Sequence, residues 1–304
     1  MTVVKNNSDF LFIFDATNTN PNGDADQENK PRMDNETKTL LVSDVRRKRD
    51  VRDFLANKGY GIFVNTLNDK KVTMDKMFEE VMKDHDLSKT STEEEQTKCI
   101  LENMIDIRLF GSAMAVKSNI TKTFTGPVQL TWGYSLHPVD LVKSNSIVTI
   151  MNDDNSTFGK MYKAHYAMVA HSGTINKFAA TKTGVTEEDC EVFRRALVQS
   201  LMNNLTHSKQ GQQPLLYLEV VYHEDFDGYL GDLRRFVEAK LKKESAIRGI
   251  ADISLDFANL VQAIAELKGK GYVKEVRIWQ SPLFKQVENL PDGVRLDLLK
   301  PIVK

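Results

Sequence analysis

The sequence contains 304 residues, of which 27% are charged and 41% hydrophobic, and its formal net charge is −1. This balance is typical of a globular chain that buries a sizeable core, and it argues against an intrinsically disordered protein. Because the opposite charges nearly cancel, a nucleic-acid partner has to be inferred from local clusters of charge.

The cellular location is predicted from features that the sequence lacks. No apolar run is long enough to span a bilayer, and the opening MTVVKNNSDF has neither the basic start nor the apolar stretch of a secretory signal. Cys99 and Cys190 have no neighbour at metal or redox-motif spacing, so both are expected to be small buried or half-buried residues. A cytoplasmic protein with no membrane partner is therefore expected.

The first predicted element is a strand over residues 9–15, DFLFIFD. Its nearly continuous apolar run is typical of a strand that is buried on both faces. Residues 16–39 are rich in Asn, Gly and Pro, and they are predicted to form a long irregular loop. A loop of that length is usually either functional or disordered.

A helix and a second strand are predicted to follow this loop. Either Ser43 or Asp44 can cap the helix, which is expected to run to about Lys58. Residues 61–67, GIFVNTL, are predicted to be a strand.

The predicted helix carries a ridge of positive charge. Residues 30–58 contain nine Lys or Arg against five acids, and Lys48, Arg49 and Arg52 share one helical face. The adjoining buried stripe is predicted to consist of Val51, Phe54 and Leu55. Contact with a polyanion explains this ridge, but an ordinary solvated helix explains it equally well, because Asp50 and Asp53 are available as partners.

The remaining segments are predicted to alternate between strands and helices. Residues 69–103 are predicted to be a polar helical insertion, with Ser91 and Glu94 as a capping box. The later predictions are β-like segments at 108–116, 126–135 and 146–151, a strand at 162–171, a helix at 186–203, a strand from Pro214, a mainly helical stretch at 232–268, and a strand at 273–279. Without the insertions, this order is compatible with an α+β fold built on the split β-α-β sheet of ferredoxin-like proteins.

The sequence carries no pattern typical of a metal site or an enzyme. The acidic string Asp24, Asp26, Glu28 would need Gly at position 29 and Glu at position 35 to match a calcium loop, but both positions are Asn. There is no His-x-x-x-His pair, Walker loop, dinucleotide fingerprint or nucleophile elbow. No cofactor, no metal and no catalytic residue are therefore expected.

A projecting hairpin is predicted around the turn-rich segment NDDNSTFGK. Phe158, Tyr162 and Tyr166 lie in or after its tip, beside Lys160 and Met161. Exposed aromatic and basic residues in such a hairpin suit insertion between bases, but docking on a neighbouring protein would produce the same pattern.

The opening of the chain resembles a known family. The segments DATNTNPNGDADQENKPRMDNET and LVSDVRRKRDVRDF resemble the start of the Cas7 backbone subunits of type I CRISPR Cascade complexes, with the B and C subtypes nearest. IDIRLFGSAMAV, TGPVQLTWGYSLHPVD and FGKMYKAHYAMVAHSGTINKF resemble the same family in the same order, so the resemblance runs from about residue 9 to residue 222.

The resemblance implies an α+β fold with an RRM-like palm, inserted helical fingers and a β-hairpin thumb. On this basis the palm is expected at residues 1–67 and, with C-terminal helices, at 167–304. Strands of the palm or fingers are expected at 107–140, the helical fingers at 68–106 and the thumb at 141–166. The implied function is to hold crRNA for base pairing with target DNA, without catalysis. The implied partners are crRNA, target DNA, further copies of this chain in a filament, and other Cascade subunits.

The resemblance also implies the contact residues. The expected RNA-binding residues are Ser43, Arg46, Lys48, Arg49, Arg52, Lys209 and Gln210. The expected thumb residues, which flip out a base of the RNA, are Phe158, Lys160, Met161 and His165. Two alternatives remain open, namely a type III-like subunit that cuts RNA with Asp24 or Asp26, and a free single-strand RNA-binding protein.

Overall fold

A computed structural model describes most of the chain. The described ranges are 2–87, 91–116, 120–143, 146–148, 158–203, 206–244 and 246–303, and for 114–116, 120–122, 146–148 and 158–159 they include the backbone alone. None of the helices in these ranges is both long enough and apolar enough to cross a membrane.

The described residues form a mixed α/β structure. Its seven α-helices are α1 (Asp44–Asn57), α2 (Met74–Asp84), α3 (Glu93–Asn103), α4 (Ile105–Phe110), α5 (Lys177–Thr183), α6 (Glu187–Asn203) and α7 (Ala258–Gly269). The first nine strands are β1 (Ser8–Thr19), β2 (Gly23–Asp24), β3 (Lys30–Pro31), β4 (Met33–Asp34), β5 (Thr39–Val42), β6 (Gly111–Val116), β7 (Ile120–Thr125), β8 (Val128–Leu130) and β9 (Gly133–Ser135). The others are β10 (Ser146–Val148), β11 (Phe158–Lys160), β12 (Ala164–Ile175), β13 (Gln212–Tyr222), β14 (Glu238–Leu241), β15 (Ile253–Asp256), β16 (Val273–Gln280), β17 (Val287–Glu288) and β18 (Val294–Arg295).

A nine-stranded sheet forms the centre of the fold. Its order is β18-β16-β13-β1-β12-β9-β5-β4, and β8 pairs with β12 beside this path. The central strand β1 is antiparallel to both β12 and β13 over nearly its whole length. Helix α1 directly follows β5, which lies near one edge of the sheet. Helix α6 lies in the connection between β12 and β13, the two neighbours of β1.

The two faces of β1 belong to two different hydrophobic cores. Phe10, Phe12 and Phe14 pack with the residues of α1 and α6, whereas Leu11 and Ile13 pack with the C-terminal part of the chain. All five side chains have no exposed surface. Successive side chains of a strand point to opposite faces, so burial on both sides requires an unbroken apolar run. The prediction of a strand buried on both faces is confirmed.

The helical insertion has a small core of its own. Residues of α2 and α3 bury Phe78, Val81, Cys99 and Ile100 against Phe63 and its neighbours. The predicted helices are confirmed, but the predicted capping box is wrong. Thr92 and Glu95 form it, one residue later than expected.

Three other local predictions are wrong because long-range contacts override the local pattern. Residues 16–39 are not an irregular loop, since β1 continues to Thr19 and short strands follow. Residues 61–67 form only two isolated bridges, Gly61 with Met104 and Leu67 with Lys70, because the backbone N–H groups of Phe63 and Val64 donate to the Asp106 carboxylate. The stretch 232–268 is not mainly helical, since β14 and β15 pair there before α7 begins.

The segment 108–116 is also more mixed than predicted. It opens inside α4 and becomes a strand only at Gly111, whose φ of 74° ends the helix. That strand, β6, pairs with β7 as a hairpin that the sequence pattern did not indicate.

A buried carboxyl at the start of β1 makes stability depend on pH. Asp9 Oδ2 accepts hydrogen bonds from the Tyr222 hydroxyl at 2.7 Å and from the Gly231 backbone N–H at 3.0 Å. Burial raises the pKa of Asp9 to about 6. The folded state therefore holds this proton more tightly than the unfolded state, and stability is lost as the pH rises from about 4 to about 6.

We expect Asp9→Asn to be more stable than the parent by about 1–2 kcal/mol at pH 8, since the variant buries no charge. The two should be nearly equal at pH 4, and urea denaturation from pH 4 to pH 8 measures the difference. A variant that is less stable by the same amount at every pH would show that Asp9 is not protonated in the folded state.

Candidate nucleic-acid interface

The N-terminus of α1 is fixed by a hydrogen-bonded cap. Ser43 lies in extended backbone before the helix, and its Oγ accepts a hydrogen bond from the Arg46 backbone N–H at 3.2 Å. The Ser43 backbone N–H and hydroxyl both donate to Asn22 Oδ1, at 2.8 and 3.0 Å. Of the two caps that the sequence allowed, Ser43 and Asp44, the structure shows Ser43. Because its hydroxyl is already occupied, Ser43 shapes this end of the helix by tying it to the segment after β1.

Lys209 holds the same segment from a second side. Its Nζ donates to the backbone carbonyl oxygen of Asn20 and, at 2.8 Å, to that of the next residue. Burial, followed by the charges of Arg46 and Arg47, lowers the pKa of Lys209 to about 7. Two predicted RNA-binding regions, far apart in sequence, therefore meet beside the first turn of α1.

Two arginines in this first turn share one carboxylate. Arg46 and Arg47 both form ion pairs with Asp50. Arg47 is only 1% exposed, and its guanidinium lies 4.9 Å from the centre of the Phe14 ring, whereas the Arg46 side chain reaches the surface. The sequence analysis did not distinguish these two residues. Their spacing could have distinguished them, because Arg47 lies four residues before Val51 and therefore on the buried stripe of the helix.

The next two cations are also paired with acids on the same helix. Lys48 Nζ lies 3.0 Å from Asp44 Oδ2, and the Lys48 side chain is mostly covered. Arg49 pairs with Asp53, and its Nη1 donates to the Val64 carbonyl oxygen at 3.0 Å. These i, i+4 pairs are the ones that an ordinary solvated helix would form. They leave the guanidinium of Arg49 partly exposed, and therefore within reach of a further anion.

Arg52 is directed away from solvent. Its Nε donates to Asp106 Oδ2 at 2.9 Å, and the guanidinium lies 5.1 Å from the centre of the Phe110 ring. Asp106 has no exposed surface and also accepts the backbone N–H groups of Phe63 and Val64. The structure therefore places Arg52 in a buried network between α1 and α4, and it does not bring Arg52 together with the surface cations.

The base of the predicted hairpin is present. β10 and β11 pair antiparallel, with Val148 opposite Phe158. Residues 149–157 and the side chain of Phe158 lie outside the described residues, so the predicted tip is among them. After Lys160 the described chain continues into β12, which belongs to the central sheet.

A polar cluster joins this base to the segment after β1. The Tyr162 hydroxyl donates to Glu28 Oε2 at 2.6 Å, and Lys160 Nζ lies 3.5 Å from the same oxygen. These two contacts, the hydrogen bond first, hold the pKa of Glu28 below its ordinary value. Lys30 Nζ lies 5.1 Å from the centre of the Tyr162 ring. Glu28, considered above as a metal ligand, is therefore a partner of the hairpin base.

The other predicted residues near the hairpin differ in accessibility. Met161 and His165 are half-buried. Tyr166 is 1% exposed and directs its hydroxyl to Asp15 Oδ2 at 3.3 Å. The suggestion that Tyr166 stacks on a base is therefore wrong, because the ring belongs to the core between the central sheet and the C-terminal part of the chain.

These residues together form a surface suited to anions. Around the first two turns of α1, four cations lie at or near the surface, namely Arg46, Lys48, Arg49 and Lys209, and their acidic neighbours are Asp44, Asp50 and Asp53. Arg47 and Arg52 are buried behind them, where they pair with Asp50 and Asp106. Gln210, beside Lys209, is exposed. Across the described part of the chain, no three His, Cys, Asp or Glu side chains are close enough to hold a metal ion.

Known proteins share both the sequence pattern and the fold. A family model described as CRISPR-associated protein Cas7 matches residues 6–258. A Haloferax volcanii protein with the same description is 27% identical over 282 residues, which cover 85% of this chain and 83% of that protein.

Two solved structures resemble the whole chain. One is from a CRISPR RNA-guided surveillance complex in a pre-nicking state, with a TM-score of 0.54 at 13% identity and 96% of each chain covered. The other is from a CRISPR RNA-guided surveillance complex, with a TM-score of 0.50 at 15% identity and with 96% of this chain and 94% of that chain covered. At these identities the likeness shows a common fold.

Proposed function

This chain belongs to the Cas7 family of CRISPR-associated proteins, and we propose that it is a non-catalytic backbone subunit of a type I Cascade complex in the cytoplasm. In this role, copies of the chain line up along crRNA and hold it for base pairing with target DNA. The observation that carries the proposal is the match of the family model to residues 6–258, which contain every residue of the candidate interface.

The sheet order supports an RRM-like palm. In chain order the central elements are β1, α1, β9, β12, α6 and β13, and in the sheet their strands are arranged β13-β1-β12-β9. A split β-α-β unit has this arrangement, with each long strand antiparallel to its neighbours. We assign these elements to the palm, residues 68–106 to the fingers, and residues 141–166 to the thumb, which reaches over RNA held by a neighbouring copy.

The contacts around α1 narrow the proposed RNA-binding residues. Arg46, Lys48, Arg49, Lys209 and Gln210 remain in the proposed set, because each lies at or near the surface beside the first turns of α1. Ser43 is assigned to shaping that surface, because its side chain caps α1 and donates to Asn22, and Arg52 to holding α1 on α4, because it is buried against Asp106. The thumb residues Phe158, Lys160, Met161 and His165 stay in the proposal as expected from the family.

Expression of the chain with a CRISPR transcript, followed by native mass measurement, tests the proposal. We expect a particle that contains several copies of the chain and one RNA, and no cleavage of RNA or DNA when magnesium or manganese is added. A monomer without RNA would contradict the proposal. Cleavage that disappears in Asp24→Ala or Asp26→Ala would instead support the type III-like alternative.

The proposed contact by Lys209 makes RNA binding depend on pH. In the free protein the Lys209 pKa is about 7, and a nearby phosphate favours the charged form, which raises that pKa in the complex. Binding therefore takes up a proton above pH 7, and affinity should fall roughly tenfold between pH 6.5 and pH 8.5. Fluorescence anisotropy of a labelled single-stranded RNA measures this change at constant ionic strength.

Two variants show whether Lys209 causes the pH dependence of RNA affinity. Lys209→Arg keeps its charge across this range, so its affinity should vary much less with pH. His207→Gln, two residues away, should behave as the parent. An equal pH dependence in the parent and in Lys209→Arg would remove Lys209 from the proposed interface.

A further inference from the structure

An exposed tryptophan lies beside the capped end of α1. Trp132 is 45% exposed and Thr131 beside it is exposed as well, whereas Leu130 and Gly133 on either side of them are buried. β5 and β9 pair with Val42 opposite Gly133, so Ser43 and Trp132 are the next residues along the two strands. The ring is therefore adjacent to the N-cap of the helix that carries the candidate interface.

The backbone around Trp132 is held firmly. Arg234 Nη1 donates to the Trp132 carbonyl oxygen at 2.6 Å, and Arg234 is itself paired with Asp232 at 2.6 Å. The preceding residue, Thr131, donates both its backbone N–H and its hydroxyl to the Ser172 carbonyl oxygen, at 2.8 and 3.0 Å. A large apolar ring on a fixed backbone loses little conformational freedom on binding, which favours its use as a contact surface.

A row of two cation–aromatic pairs runs from this ring to the hairpin base. The Arg32 guanidinium lies 5.4 Å from the Trp132 ring centre, and Lys30 Nζ lies 5.1 Å from the Tyr162 ring centre. Lys30 and Arg32 are alternate residues of an extended segment, so they point to the same side, about 7 Å apart along the chain. The row thus joins the two surfaces that the proposed function assigns to RNA.

We infer that Trp132, with Arg32 over its ring, is a stacking platform for an unpaired base of the bound RNA. This inference rests on the proposed function, and it adds a contact to the base itself beside the contacts to phosphate. Unstacked bases bind readily to aromatic faces, and a guanidinium beside the ring supplies charge for the adjoining phosphate. Arg32 is also paired with Asp24 at 3.1 Å, but its side chain is 31% exposed and can meet a phosphate as well. Along the row the cations Lys30, Arg32 and Lys160 outnumber the acids Asp24 and Glu28, which favours RNA as the occupant over a second copy of the chain.

Replacement of Trp132 in the full chain tests the platform. We expect Trp132→Ala to weaken binding of a single-stranded oligoadenosine RNA roughly 5- to 150-fold, whereas Trp132→Phe keeps most of the affinity. The slope of log affinity against log salt should stay at the parent value, because no phosphate contact is lost. Phe178→Ala is the matched control, since Phe178 is 55% exposed and Lys177 lies 5.1 Å from its ring centre.

Tryptophan fluorescence gives an independent measurement. The chain contains two tryptophans, and the other, Trp279, is 7% exposed. The parent emission should be quenched by the same RNA, and this quenching should be absent in Trp132→Phe. Unchanged affinity in Trp132→Ala, or quenching by RNA in Trp132→Phe equal to that of the parent, would overturn the platform alone, while a parent without RNA affinity would overturn the proposed function as well. If the emission per chain instead falls as the protein concentration rises in the absence of RNA, the ring makes contact between copies and the inference is overturned.

Discussion

Replacement of Arg52 by Ala should lower the free energy of unfolding by roughly 3–5 kcal/mol, which is the loss typical of a buried ion pair with one partner removed. Asp106 would remain as a charge with no exposed surface, holding only the two backbone N–H groups of residues 63 and 64. α1 and the fingers would then lose their common anchor. Urea denaturation, followed by circular dichroism, measures the change.

Two further variants separate structure from binding. Arg49→Ala breaks a half-exposed pair with Asp53, so it should cost only about 1 kcal/mol or less. The double variant Arg52→Met/Asp106→Asn should recover part of the stability, because it leaves no uncompensated charge and the Asn amide oxygen can still accept the buried N–H of Phe63. If Arg52→Ala were as stable as the parent but bound RNA more weakly, Arg52 would belong to the RNA-binding set after all.

The triple variant Arg46→Gln/Lys48→Gln/Arg49→Gln should bind single-stranded RNA about 50-fold more weakly at ~0.15 M salt. Each lost phosphate contact on a single strand removes roughly 0.7 from the slope of log affinity against log salt, so the slope should fall by about 2. Gln keeps a polar, hydrogen-bonding end on an aliphatic stem and has good helix propensity, and the fold should therefore be preserved. Anisotropy titrations at several salt concentrations give both quantities.

A matched triple variant controls for the change in net charge. Lys268, Lys270 and Lys274 are exposed at the end of α7 and the start of β16, outside the candidate interface. Their replacement by Gln removes the same total charge, but it should leave the salt slope close to that of the parent. Equal losses in the two triple variants would mean that RNA responds to the overall charge of the protein and not to the α1 surface.

The buried elements of the fold could be predicted from sequence because their patterns are local. The apolar run at residues 10–14 indicated a strand covered on both sides, and Ser43 indicated the start of α1. Residues 61–67 were not predictable in this way, since the Asp106 carboxylate, more than forty residues later, binds the N–H groups that a strand partner would use. The β14–β15 pair was missed for a similar reason, because β15 also pairs with β17 further along the chain.

In the candidate site, too, local sequence patterns could not predict contacts with distant parts of the chain. A helical projection put Lys48, Arg49 and Arg52 on one ridge, but it could not show which of them meets a buried acid from another element. No sequence pattern singled out Trp132, which lies in a segment predicted to be β-like. Its position beside Ser43 becomes visible only from the register of the sheet. The resemblance to the family covered the interface as a whole and did not separate cations that support α1 from those that face solvent.

The place of β1 in the chain also bears on how the protein is made. Its partners β12 and β13 end at residue 222, so at about 5–20 residues per second a ribosome needs roughly 10–40 s to deliver them after β1 itself. Until β12 is complete at Ile175 the segment FLFIF has neither of its neighbouring strands, and until β13 is complete at Tyr222 it has only one. The segment matches the composition of segments that aggregate. Translation speed and chaperone supply should therefore limit the yield of this chain, because its most protected strand is among the first parts to be synthesised and among the last to be covered.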